Sequence, residues 1–272
     1  MLTPQNLRHR YFIELAFNGT GYRGWQIQPG VRTVQSCLNE AITTLVSEPV
    51  NLTGCGRTDS GVHASHFVAH FDTEKPLKST EMLVRRLRRF LDVSIRVDRI
   101  TEVSPDVSAR FQAIARTYHY LINCGRSPWM QAFSWNLTLS LDRDSMNRGA
   151  GFLCGTHDFT SFSKLHSEVK TNTCTVYQAE WYAREGFLVF GIKADRFLRN
   201  MVRAIVGTLV EVGKGHLAPE EVPVILDALD RSKAGTSVPA QGLFLTRVDY
   251  QPGDFSIQPV SPFPSLFSVD PV

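Results

Sequence analysis

From Met201 to Val212 the chain is apolar at nearly every helical position, with Arg203 and Glu211 the charged exceptions. A helix of that kind has no face to give to water and must be covered all round by the rest of the molecule. Arg203 makes the demand stricter. An unpaired guanidinium in such a place costs several kcal/mol, on the order of 3–5, so a carboxylate has to reach it from elsewhere in the chain. With 272 residues, 43% of them hydrophobic, the chain can build one large core or two small ones to do the covering.

The stretch that best supplies the carboxylate is Gly54-Cys55-Gly56-Arg57-Thr58-Asp59-Ser60-Gly61-Val62-His63-Ala64. Apolar alternating runs flank it, Val50 to Thr53 before and Phe67 to Phe71 after. Both are expected to be strands. A polar hairpin turn in which Asp59 caps its own backbone is the plain alternative. Turn chemistry gives no reason for Arg57 two residues earlier, and loops on rigid scaffolds are where chemistry gathers. Asp59 is therefore a candidate nucleophile or base. Gly56 to Gly61 has phosphate-loop spacing, but Val62-His63 stands where Lys-Ser/Thr is required. Gly54 and Gly56 lack the third glycine of a dinucleotide fingerprint. His66 and His70 on one strand would lie about 13 Å apart, too far to share a metal ion.

The rest of the chain alternates strand and helix signals. A first strand, Tyr11 to Phe17, leads through a glycine-rich loop holding Arg23, Trp25, Gln26 and Gln28. Trp25 reads as a core anchor. Thr33 caps a helix with Val34, Cys37, Leu38, Ala41, Ile42 and Leu45 on one face. A second helix starts at Ser79 or Thr80, with Leu83, Leu87, Phe90 and Leu91 inward and Arg85, Arg86, Arg88 and Arg89 on or beside the other face. Glu81 alone opposes them, which favours a polyanionic partner over a merely solvated surface. Further on come strands at 115–122, 173–182, 187–194 and 242–250, a weak helix at 144–153, the long helix after Asp195 and a last one opened by Pro219. Tyr118 and Tyr120 share a strand face, either as core or as a stacking surface for a base.

Net charge is +3, so any nucleic-acid footprint must come from local clustering. Five cysteines, an odd number with no Cys-x-x-Cys, point to free thiols in a reducing compartment. No secretory leader and no membrane span are read from the sequence, so a cytoplasmic protein is expected.

Several motifs in order resemble the tRNA pseudouridine synthase A family: Arg23-Gly24-Trp25-Gln26, Gly56 to Ala64, Ala109-Arg110-Phe111, Arg116 to Tyr120, His157 to Phe162, Phe197 to Arg203 and Gly242 to Tyr250. Ser60, where the family usually has alanine, and Thr236, where it often has proline, are small departures. The resemblance implies an α+β fold of two α/β halves, each with a mixed, mainly antiparallel sheet and helices on one side, around a central basic cleft. Together with the element order it gives halves at 1–105 and 106–250 and a Pro-rich tail at 251–272. It implies isomerisation of uridine to pseudouridine in the tRNA anticodon arm, at tRNA positions 38, 39 and 40, by a homodimer without cofactor or metal. It casts Asp59 as nucleophile, Arg203 as its partner, Arg57 as the holder of the flipped nucleotide's place or phosphate, and Tyr118 as the ring that stacks on uracil. Arg199, with Arg85, Arg88 and Arg89, completes the expected substrate contacts.

Overall fold

A computed structural model describes residues 8–125, 127–164 and 171–251; all but the first residue of the expected tail lies outside them. The described residues divide into two compact units, one of residues up to 114 together with 248–251, the other of residues 115–247. Both are α+β, with largely antiparallel strands.

In the first unit β1 (His9–Phe17) lies between β4 (Ile95–Val103) and β3 (His63–Thr73), antiparallel to each. Tyr11, Ile13, Leu15 and Phe17 alternate with Phe12, Glu14 and Ala16, and all seven are buried. Covered on both faces, β1 reads from Tyr11 to Phe17 as an apolar run broken by Glu14 rather than as an alternation. Helix α1 (Val34–Val46) begins at Thr33, whose side chain accepts from Ser36 N while Ser36 Oγ accepts from Thr33 N. Helix α2 (Thr80–Phe90) is capped by Ser79 and packs on β4. Phe90, expected inward, is 49% exposed in its last turn.

The strand expected at Val50 to Thr53 is reduced to β2 (Thr53–Gly54), paired with β3. Side chains of α1 take the backbone groups a strand would have used. Thr43 Oγ1 accepts from Val50 N, Asn39 Oδ1 accepts from Leu52 N, and Gln35 Nε2 donates to Leu52 O. The segment after β4 also stays with the first unit beyond the expected division at 105. Val107 O accepts from Arg10 Nη1, Ala109 N donates to His70 Nδ1, Ala109 O accepts from Tyr250 Oη, and Ile114 N donates to Asp249 O.

In the second unit β5 (Ala115–Asn123) runs antiparallel to β9 (Phe187–Ala194), which pairs with β8 (Thr173–Arg184). The short β7 (Gly155–Asp158) lies outside β8. Beside β5 lies β10 (Leu243–Asp249), and β6 (Trp135–Asn136) adds a parallel pair that makes the sheet mixed. Helix α3 (Arg143–Gly151) packs on β8 and on α4 (Met201–Gly213); α5 (Glu221–Asp227) is short. Every residue of α4 is buried except Arg203 and Glu211, as its apolar composition requires. The helix starts later than expected after Asp195, because Asn200 sits at φ 66° in the left-handed region, where a right-handed helix cannot pass.

Candidate active site

The chain from Cys55 to Val62 connects β2 to β3 and carries Arg57 and Asp59. Arg57 is exposed and Asp59 partly so, while Cys55, Thr58 and Val62 are buried beneath them. What fixes the loop is the earlier stretch 19–25. Trp25 N donates to Thr58 O at 3.3 Å, Ser60 Oγ donates to Tyr22 O at 3.2 Å, and Gly19 N donates to His63 Nδ1 at 3.0 Å. Gly24 has φ 83°, and a Cβ there would run into the Thr58 carbonyl oxygen. Trp25 lies stacked on Phe67 with ring centroids 4.1 Å apart, the anchor its sequence context suggested. Asp59 is thus presented from a loop whose backbone is fixed on both sides. The sequence offers only the glycines as a sign of this buttress.

The histidines of β3 have a role that the metal question hid. His63, His66 and His70 each accept a backbone N–H through Nδ1, from Gly19, Val248 and Ala109 respectively. Each ring therefore carries its proton on Nε2 when neutral. Three separate segments are tied to one strand by the same bond. Burial pushes the His70 pKa down to about 4, helped by Arg10, so His70 stays a neutral acceptor. Near His66, burial pushes the Glu14 carboxyl up to about 7, with Arg99 opposing and Asp98 adding to the rise. Glu14 lies 3.9 Å from His66 Nε2 and 3.7 Å from Arg99 Nε. Among the described residues no three His, Cys, Asp or Glu side chains converge as a metal would require.

The second unit holds the other expected residues. Tyr118, on β5 and opposite Ile192 of β9, is half-buried, with Phe197 edge-on at 5.1 Å. Its strand neighbour Tyr120 is wholly buried and donates to Pro239 O. The two tyrosines therefore differ in use, one as core and one as a partly open ring. Arg203 leaves the first turn of α4, its Nε donating to Val238 O at 2.7 Å while its own carbonyl accepts from Val238 N. Arg199 stands just before α4, its carbonyl accepting from Lys164 N.

On α2, in the first unit, Arg85 and Arg89 are exposed. Arg88 is also at the surface but is committed to β4: its Nε donates to Val97 O at 2.7 Å and Nη2 to Asp98 O at 3.3 Å. Arg86 Nη1 reaches Leu45 O.

A family profile described as tRNA pseudouridine synthase matches residues 150–251. The tRNA pseudouridine synthase A of Bacteroides thetaiotaomicron is 50% identical over 250 residues, covering 91% of this chain and 93% of that protein. That of Parabacteroides distasonis is 47% identical, covering 92% of this chain and 99% of its own. The chain belongs to the tRNA pseudouridine synthase A family. The more distant member from Caldicellulosiruptor bescii still shares 38% identity over 88% of this chain. Such similarity extends through both units, beyond the part that the profile matches.

Proposed function

We propose that this protein is a tRNA pseudouridine synthase that isomerises uridine in the anticodon arm, at tRNA positions 38, 39 and 40, with Asp59 as its essential carboxylate. The observation that carries the reading is the 50% identity to a tRNA pseudouridine synthase A across 91% of the chain. The reaction breaks the N1–C1′ bond of uridine and forms C5–C1′; the C5 proton leaves and N1 gains one. No atom is added or lost, and no oxidant or reductant is needed.

A carboxylate can serve this chemistry as nucleophile or base, and it does so best when its position is fixed before the substrate arrives. The buttressed loop around Asp59 supports that role. A uridine paired in a stem is out of reach until it is flipped, which costs a few kcal/mol and calls for a ring to receive it. Tyr118 is assigned that ring, and Arg57 the vacated place or the phosphate. Arg203 is assigned as the counter-charge of Asp59. Arg85, Arg88, Arg89 and Arg199 are assigned to the tRNA backbone, Arg88 with less freedom because of its bonds to β4. The protein is read as a cytoplasmic homodimer; no helix among the described residues is long and apolar enough to cross a membrane.

The test is release of tritium from C5-labelled uridine in tRNA, with nucleoside analysis of the product. Pseudouridine in stoichiometric yield with tritium release supports the reading. Free uracil would replace isomerisation by hydrolysis, and no reaction on any tRNA would remove the assignment.

A further inference from the structure

The Asp59 loop holds one polar atom whose place in the fold is unexplained. Around it the Thr58 and Asp59 carbonyls accept from Trp25 N and Val62 N, and Ser60 Oγ donates to Tyr22 O. Thr58 itself is 9% exposed, and its Oγ1 is sealed from solvent with no hydrogen-bond partner. An unpaired buried hydroxyl is a net cost to the fold, and valine, of the same shape, would remove it. Filling space is therefore no reason for threonine here.

The main chain at Thr58 is held in place, its carbonyl accepting from Trp25 N and lying so close to Gly24 that no side chain would fit between them. What remains free is rotation about χ1, which moves the hydroxyl between staggered positions. The next residue in the chain is Asp59, whose carboxylate is the strongest class of acceptor available to a hydroxyl. We propose that Thr58 is a positioning residue for the reaction: in the substrate-engaged enzyme its Oγ1–H donates to the Asp59 carboxylate and holds it in the orientation that meets the nucleotide. The inference rests on Asp59 being the essential carboxylate. It explains a buried hydroxyl left open in the resting protein, since its partner is supplied only when Asp59 is drawn into use.

Thr58→Val removes the hydroxyl and keeps the shape, while Thr58→Ser keeps the hydroxyl. We expect Thr58→Val to hold its melting temperature at or above that of the parent and its tRNA Kd within about twofold. Its single-turnover rate of tritium release should fall by roughly 10-fold or more, the worth of a hydrogen bond to a charged group. Thr58→Ser should recover most of that rate. A parental rate in Thr58→Val would overturn the proposal, whether the hydroxyl is idle or held by a buried water. So would a rate that falls only in step with lost stability. Should valine fail to fold, Thr58→Ala against Thr58→Ser gives the same contrast. Asp59→Asn run alongside separates the two readings. An active Asp59→Asn removes the role of Asp59 itself, whereas an inactive one beside a fully active Thr58→Val removes only that of Thr58.

Discussion

Two strand-to-strand connections in this protein have glycine at positive φ and differ in almost everything else. The β8–β9 turn, Glu185-Gly186, has both residues at positive φ, and a Cβ on Gly186 would meet nothing within 4 Å. The connection from β2 to β3 is longer and has its own such glycine, Gly61 at φ 80°. Stretch 19–25 is laid against it, with Gly24 under Thr58 and Gly19 beside Val62. The first leaves open space where a side chain on its glycine would stand. The second can serve as a site because a distant segment fixes it, and rigid support is what a reacting carboxylate needs.

The largest effect should come from Asp59, the carboxylate that the second connection presents. Asp59→Asn keeps the shape but removes the charge and turns one acceptor oxygen into a donating NH2, so tritium release should vanish while tRNA affinity stays within a few fold. Release near the parental rate would reduce the Asp59 loop to a turn like the other.

Alanine at the two supported and unsupported glycines sharpens the contrast. Gly186→Ala should cost about 1–2 kcal/mol, the backbone strain alone. Gly24→Ala adds a collision with the Thr58 carbonyl to the same strain and should cost more, about 3 kcal/mol, with a matching loss of activity. Equal losses in urea denaturation would mean that the loop gives way freely and that its packing does not hold it.

Two buried groups, Glu14 on β1 and His70 on the neighbouring β3 that leaves the loop, make this region sensitive to pH. Glu14, raised from 4.5 to about 7, keeps its proton in the folded state where the unfolded chain has lost it. Stability should therefore fall as pH rises from about 4.5 through 7. His70, lowered from 6.5 to about 4, does the opposite: its contribution is whole above 6.5 and is lost as pH falls toward 4. Each is worth at most about 3 kcal/mol. Glu14→Gln should stabilise the protein at pH 8 and flatten its neutral limb; His70→Gln should flatten the acid limb. Denaturation midpoints across pH 4.5 to 8 that ignore both substitutions would contradict these shifts.

The smallest effect concerns the arginines of α2. Arg85→Ala or Arg89→Ala should lower the slope of log K against log salt for tRNA by roughly 0.7–0.9. Arg88→Ala should change the slope less and also lose stability, since its guanidinium is bonded to the Val97 and Asp98 carbonyls. An unchanged slope in the first two would return the helix to a solvated face.

Much of this was legible in the residues alone. Thr33 and Ser79 mark helix starts because capping is local chemistry, and the apolar run of α4 announces its burial because composition fixes what water will tolerate. The motif around Asp59 marks a candidate loop because glycines, a carboxylate and flanking apolar runs are written next to one another. The tertiary structure decided the rest. It spent side chains of α1 on the backbone of Val50 and Leu52 and so shortened an expected strand. It made His63, His66 and His70 acceptors for the backbone N–H groups of Gly19, Val248 and Ala109. It also drew Gly24 under Thr58 and left one hydroxyl beside Asp59 unpaired. Local patterns record propensity and burial, which depend on neighbours in sequence. Close approach and hydrogen-bond pairing depend on groups dozens of residues away, so they exist only once the chain has folded.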